Sequence, residues 1–446
     1  MRFWKGSAFP GSCSNSDDPL SAGISLERSG LNRPLAAPGH VQWDVASLHV
    51  DDQPAPTSTG ERALEMQPPA VQAAERRPPL PALTGLRTLL ALTILMFHFT
   101  PAGLASARYP AFTLYPLVNI GFVFVSFFFL ISGFILSYNY AHRPGGVRAV
   151  DFWMARFSRL YPVYLLTLLI SIPMLLLEWH SRSRSDFWMG ALTTPLLMQG
   201  FFPHLATFWN VVSWTLSCEV VLYLAFPFLL KLRWPSRPWV LGLMVVGFWA
   251  IGLVPHTWYW LTNPDHLAGA ANRYSDGDWL NTLKYTPGSY LCTFLAGLTL
   301  GRLHDALHFT LRGRLLAGLA GFFLAWIAVY HVAPNVPYIL VHGGLFTPVW
   351  SLVILGLAGV SPLARVFAIR PLVAVGTSTY ALYLLHFNIF TLLQWYHVAE
   401  RLHVKTFDPW ISYVFVILLA MGVRRWVEHP CQKLIQDWWK KRSVRI

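Results

Sequence analysis

Three titratable side chains stand inside stretches of sequence that are otherwise apolar. His98 lies in LTGLRTLLALTILMFHFTPAG (83–103), eleven residues after Arg87; Glu219 lies in WTLSCEVVLYLAFP (214–227); His386 lies in GTSTYALYLLHFNIF (376–390). An ionisable group at hydrocarbon depth is costly unless it is paired or faces a polar cavity, so each is a functional candidate. Eleven residues at about 100° each return to nearly the same helix face, placing Arg87 and His98 on one stripe, roughly 16 Å apart along the axis. A histidine so placed can serve as a general base or transiently carry a transferred group. Glu219 is the costliest of the three to bury and requires protonation, hydrogen bonds, or a histidine or arginine partner. Beside His98 it would orient or charge-balance the imidazole.

The elements that must position these groups are membrane-spanning helices. The chain has 446 residues, of which 54% are hydrophobic and only 12% charged, a composition too apolar for a soluble protein of this length. The expected fold class is all-α and polytopic, with ten spans near 84–103, 118–139, 159–178, 210–230, 237–255, 286–303, 313–331, 339–358, 372–395 and 409–427, each close to the roughly 20 residues that cross a bilayer core. Measured from the inner helix ends, His98, Glu219 and His386 then lie roughly 21, 16 and 21 Å deep and can share a plane. An even number of spans puts both termini on one side. Lysine and arginine crowd one set of connections, 22 against 7, which makes that side cytoplasmic. The net charge of +13 does not point to nucleic acid, because the basic residues recur between apolar runs and do not cluster on a soluble domain. The four cysteines have neither metal-ligand nor paired spacing.

Residues 1–80 are rich in Pro, Ser, Gly and Ala, lack apolar periodicity and carry no secretory signal pattern, so a disordered cytoplasmic extension is expected there. Met66 offers a shorter start that keeps every span. Residues 81–430 form the membrane domain. Residues 431–446 form a basic cytoplasmic tail, whose run from Lys440 to Arg445 suits anionic lipid. With no further soluble domain in the chain, any reaction is expected to finish within the membrane domain or with a separate partner. The outer connection from Thr257 to Tyr285 mixes Trp258, Tyr259, Trp260, Tyr274 and Trp279 with Asp265, Asp276 and Asp278. That composition suits sugar faces and hydroxyls, but an interfacial aromatic belt is the favoured reading.

Other positions add to the candidate site. Ser132 and Gly133 in the second span allow close approach of a helix or a ligand. Arg156 and Arg159 fall at the inner mouth of the third span, with Pro162 expected in its first turn. Both arginines fit the positive-inside pattern; with Arg87 they can also form a cationic mouth for phosphates. Trp214, Tyr223 and Tyr380 complete a set of polar lining candidates.

Taken in order, these residues carry a resemblance: Arg87-x10-His98; Ser132-Gly133-Phe134; Arg156-x2-Arg159-x2-Pro162; Trp214-x-Leu216-Ser217-x-Glu219, then Tyr223 and Pro227; and Gly376-x-Ser378-x-Tyr380 leading to His386. Over most of residues 81–430 the chain resembles the integral-membrane acyltransferase 3 family. The resemblance implies transfer of an acyl group, commonly acetyl from acetyl-CoA as co-substrate, to a hydroxyl of a sugar, polysaccharide or natural product in the bacterial inner membrane. Ser126 stands where many members have an aspartate, a form similar to the exopolysaccharide and macrolide acyltransferase branch. Ala155 stands where a first arginine is common, removing one inner charge.

On this reading Arg87, Arg156 and Arg159 bind the anionic end of acyl-CoA, His98 acts on the acceptor or carries the acyl group, and Glu219 supports His98. Ser132, Trp214, Tyr223, Tyr380 and His386 line the site or stabilise an oxyanion. No metal is expected. The alternative is a glycan or small-molecule transporter or flippase in which His98, Glu219 and His386 relay protons, which predicts broken helices at matching positions of two halves. A non-catalytic acyl carrier or sensor would keep the arginines and tolerate loss of His98.

Overall fold

A computed structural model describes residues 77–100, 115–143 and 146–443. Most of the extension expected to be disordered therefore lies outside the described residues. Its last four residues are fixed: the Tyr138 hydroxyl donates to the Pro78 carbonyl at 3.1 Å, and Arg77 pairs with Asp305.

Among the described residues the chain is helical and has no strand. The principal helices are α1 (Pro81–Phe99), α2 (Val123–Tyr140), α3 (Ala149–Ile170), α4 (Ile172–Ser181), α5 (Trp214–Lys231), α6 (Pro238–Thr262), α7 (Asp278–Tyr285) and α8 (Pro287–Leu307). They continue with α9 (Leu311–Ile327), α10 (Tyr338–His342), α11 (Thr347–Leu357), α12 (Arg370–Thr377), α13 (Thr379–Trp395), α14 (Trp410–Val423) and α15 (His429–Ser443). Seven helical segments are long and apolar enough to cross a membrane, nine when each of two bent pairs counts as one span. The protein is an integral membrane protein.

The tenth expected span is α8, whose Arg302, His304 and Asp305 make it more polar than the others. Its 21 residues reach roughly 32 Å, enough to cross a hydrocarbon core. Near its start Tyr290 donates to the Lys284 carbonyl of the outer connection at 2.7 Å; near its end Asp305 holds Arg77 at the arginine-rich face. Protein covers this helix, with Phe294, Ala296 and Leu298 fully buried, so it does not need the apolarity of a lipid-facing span.

The α2–α8 contact is set by glycine. A Cβ on Gly133 would stand 2.2 Å from the Phe294 carbonyl oxygen, and one on Gly297 would stand 2.1 Å from that of Leu130. Small residues let the two backbones meet, so the Ser132-Gly133 pair admits a helix. Ser126 fastens the same α2 to α10, its hydroxyl donating to the His342 carbonyl at 3.1 Å.

Two spans are broken. α3 and α4 meet at Ser171 with a 62° bend, and α12 and α13 meet at Ser378 with a 67° bend. Pro173, in the first turn of α4, lacks the N–H that would continue α3. The start of the third span corrects an expectation: α3 begins at Ala149, so Arg156 and Arg159 lie two turns or more inside the helix and Pro162 lies in its interior.

Candidate active site

α1 brings its last turn against the middle of α13, because Leu95 and Phe99 pack with Phe390 and Tyr413 in one apolar cluster. His98 is carried there beside His386, with ring centroids 5.3 Å apart. Phe97, Phe99 and Phe387 surround the pair at 5.0 to 6.0 Å from the His98 ring. His386 Nδ1 sits 2.7 Å from the Tyr383 carbonyl oxygen. A carbonyl can only accept, so Nδ1 carries the proton and Nε2 holds the free lone pair. Nε2 is buried and has no partner among the described residues. His98 itself retains some accessible surface.

Arg273 closes the outer side of this pair. It belongs to the connection between α6 and α7, donates from Nη1 to the Phe97 carbonyl at 3.3 Å, and lies 4.7 Å over the Phe97 ring. A guanidinium at the C-terminal end of α1 complements the negative end of the helix. It also leaves a cation beside His98.

Glu219 belongs to a second layer, nearer the arginine-rich face. Its carboxylate faces the charges of Arg87, Arg159 and Arg156 and the Tyr223 hydroxyl one turn along α5. Arg87 lies 5.8 Å over the Phe128 ring; Arg156 lies 5.4 Å over Phe152 and donates to the Tyr140 hydroxyl at 3.3 Å. Both keep a buried Nε with no hydrogen-bond partner among the described residues. The geometry thus differs from the single plane read from helix depths. His98 and His386 meet, while Glu219 sits with the three arginines. The depths already held part of the separation, because Glu219 at roughly 16 Å stands about one helical turn nearer the inner face than His98 at roughly 21 Å.

The remaining predicted residues divide between structural contacts and the site. Tyr380 donates to the Leu160 carbonyl of α3 at 2.6 Å and is buried, which ties α13 to α3. Trp214 packs on Tyr285 and Tyr290 with centroids 5.2 and 5.5 Å away, outside the ring cluster of His98. Ser132 stands next to the Gly133 crossing of α2 and α8.

One carboxylate was missed as a site residue. Glu428 ends a π-helical turn, Arg424–Glu428, between α14 and α15 and is 2% exposed. Arg424 donates from Nη1 to Glu428 Oε1 at 3.3 Å and to the Thr377 carbonyl at 2.7 Å, while Arg159 and Arg87 also face the Glu428 carboxylate. Glu428 Oε2 is buried without a partner. The signal was present in RRWVEHP, where an arginine and a glutamate stand four apart and are flanked by proline. A π-turn there adds a residue to the helix and turns Glu428 inward, which sequence periodicity does not reveal. The cluster therefore holds four arginines against two carboxylates.

A family profile described as an acyltransferase domain matches residues 80–423. The chain belongs to the integral-membrane acyltransferase 3 family. Among its relatives, the acyltransferase MdmB of Streptomyces mycarofaciens is 32% identical over 151 residues, 33% of this chain and 38% of the relative. The peptidoglycan O-acetyltransferase OatA of Listeria monocytogenes is 22% identical over 386 residues, 79% of this chain and 56% of the relative. The O-acetyltransferase OatA of Staphylococcus aureus is 22% identical over 392 residues, 79% of this chain and 57% of the relative. The chain thus spans between about a third and three fifths of the length of these relatives. No solved structure matches it.

Proposed function

We propose that this member of the family is a membrane O-acyltransferase that moves an acyl group, acetyl by preference, from acyl-CoA to a hydroxyl of a carbohydrate, exopolysaccharide or glycosylated natural product, in the bacterial inner membrane. The observation that carries the reading is the pairing of His98 with His386 on a helix whose Arg87, about 16 Å below, belongs to a buried arginine cluster. The relative named as a peptidoglycan O-acetyltransferase supports a carbohydrate acceptor and an acetyl donor.

In the proposed sequence the anionic end of the donor binds among Arg87, Arg156 and Arg159; the unpartnered Nε atoms of Arg87 and Arg156 and the excess positive charge of the three favour a polyanion. Its thioester arm reaches along the α1 stripe to His98. His98 takes the acceptor's hydroxyl proton as the oxygen attacks the thioester carbonyl; the carbon–sulfur bond then breaks, and the leaving thiolate takes up that proton. The free Nε2 of His386 accepts a hydrogen bond from the protonated His98 ring and stabilises it. Arg273, beside His98, faces the oxyanion that forms on the carbonyl. Glu219 and Glu428 hold the arginines in place.

The transporter alternative calls for breaks at matching positions of two halves. The bent spans are the third and the ninth of ten, which do not correspond in two halves of five.

The test is acetyl-CoA turnover and binding by the purified protein in detergent. Arg87→Ala is expected to lose binding, and His98→Ala to lose turnover while still binding donor. Wild-type rates in both variants, or a wild type indifferent to acetyl-CoA, would remove the reading.

A further inference from the structure

An opening lies beside the buried arginine cluster, at the arginine-rich face. It is a cavity of about 370 Å³ between α1, α2 and the Arg77–Leu80 segment, lined among others by Arg77, Pro78, Arg87, Tyr138, Asn139 and Arg143. Neither Arg156 nor Arg159 lines it, and neither does any carboxylate. We propose that this cavity holds the adenosine 3′,5′-bisphosphate end of the acyl donor, with Arg77 and Arg143 on its phosphates and the Pro78 and Pro79 rings against its base, while the phosphate next to the pantetheine arm stays with Arg87, Arg156 and Arg159. The inference rests on the acyl-CoA reading above and adds residues that neither the sequence motifs nor the family match assign.

Three features support it. The first is charge: three arginines surround one small opening, and repulsion among them is relieved most by a polyanion. Arg77 is held at the rim by Asp305 and by the His142 ring, 3.2 Å from its Nε, and lies 4.8 Å over the Tyr138 ring. Arg143 is fixed through Nε to the Asn139 carbonyl at 3.0 Å and lies 4.2 Å over Tyr140. Both guanidiniums are thus oriented before any ligand arrives.

The second is continuity. Arg87 is both a wall of this cavity and a member of the Glu219 cluster. A donor seated here has its flexible arm directed past Arg87 along the helix that ends at His98. The third is shape. The cavity is bounded by the Pro78 and Pro79 rings and sits within the size range of small-molecule sites, roughly 300 to 1,000 Å³. An anionic lipid shares the phosphate chemistry, but its acyl chains have no use for the path toward His98.

The experiment uses the full chain in nanodiscs, with adenosine 3′,5′-bisphosphate as the binding probe and two acyl donors: acetyl-CoA, and acetyl-pantetheine, which lacks the nucleotide. Arg143→Glu is expected to weaken probe binding about tenfold or more, the scale of losing charge-assisted hydrogen bonds, and to lower the ratio of kcat/KM for acetyl-CoA over acetyl-pantetheine by a similar factor. Arg312→Glu, at an exposed arginine outside the cavity, controls for bulk charge and should leave the ratio as it was. An unmoved ratio in Arg143→Glu overturns the assignment. So does probe binding that anionic phosphatidylglycerol displaces and acetyl-CoA does not, which would make the cavity a lipid site. A wild type that uses neither donor defeats the acyl-CoA reading, while probe binding still reports separately on the cavity.

Discussion

His98 and His386 face one another from α1 and α13 with ring centroids 5.3 Å apart, and the Tyr383 carbonyl fixes the His386 proton on Nδ1. That leaves Nε2 as the lone-pair donor to the pair, a task a lining residue would not need. His386→Phe keeps the ring volume and removes the lone pair. It is expected to lower kcat by about 10² or more, within the span of general acid–base contributions, while donor affinity stays near wild type. Single-turnover transfer beside equilibrium donor binding separates the two quantities; unchanged turnover would make His386 a packing residue only.

Glu219 and Glu428 oppose four arginines in the buried cluster. Removing one member of a buried ion pair leaves uncompensated charge and costs about 3 to 5 kcal/mol of stability. Glu428→Gln is therefore expected to lower the thermal midpoint in detergent and raise the donor KM with little effect on acceptor KM. A double-mutant cycle with Arg159→Gln should give a coupling of about 0.5 to 3 kcal/mol. Additive losses would show that Glu428 acts on its own helix turn and not on Arg159.

The spans were legible because crossing a bilayer demands long apolar runs, and all ten expected runs have helical counterparts. The candidate residues were picked out for the same reason, since a histidine or glutamate stands out against hydrocarbon. Which of them touch was not. Depth placed Glu219 within about one helical turn of His98, a difference smaller than the spread of helix ends read from sequence, and depth does not say which helices are neighbours. Glu428 escaped notice because it lies beyond the apolar run, where charge is unremarkable, and only the π-turn carries it inside. Arg273 came from a connection whose aromatic residues and carboxylates drew attention first. Asp265 there proves to be structural, accepting from the backbone N–H of Trp279 and Leu280 at 3.1 and 2.8 Å and so capping α7.

The α2–α8 crossing gives a prediction that does not depend on chemistry. Gly297→Leu would put a Cβ 2.1 Å from a backbone oxygen, which no side-chain rotation relieves. The helices must separate, opening the packing of Leu130, Phe134 and Phe294. The variant is expected to lose most folded protein, read as the monodisperse fraction after solubilisation. Gly242→Ala, where nothing lies within 4 Å of the added methyl, should behave as wild type. Equal yields would show that the crossing tolerates a wider separation.

Lys284 offers a pH signature outside the spans. It lies in α7 of the outer connection, is 2% exposed, and donates from Nζ to the Ser275 carbonyl at 2.8 Å. Burial disfavours its ammonium and, against a smaller opposing pull from Asp276, lowers its pKa from the ordinary 10.5 to about 8. The unfolded chain then binds more protons than the folded one between about pH 8 and 10.5, so stability rises with pH across that window. Below pH 8 both states are protonated and the burial cost is felt in full. A shift of that size corresponds to about 3 kcal/mol. Lys284→Met removes the buried charge, so its thermal midpoint should exceed wild type at pH 7 and the difference should shrink as pH approaches 10. A difference that stays constant with pH would mean that packing, not ionisation, distinguishes the two proteins.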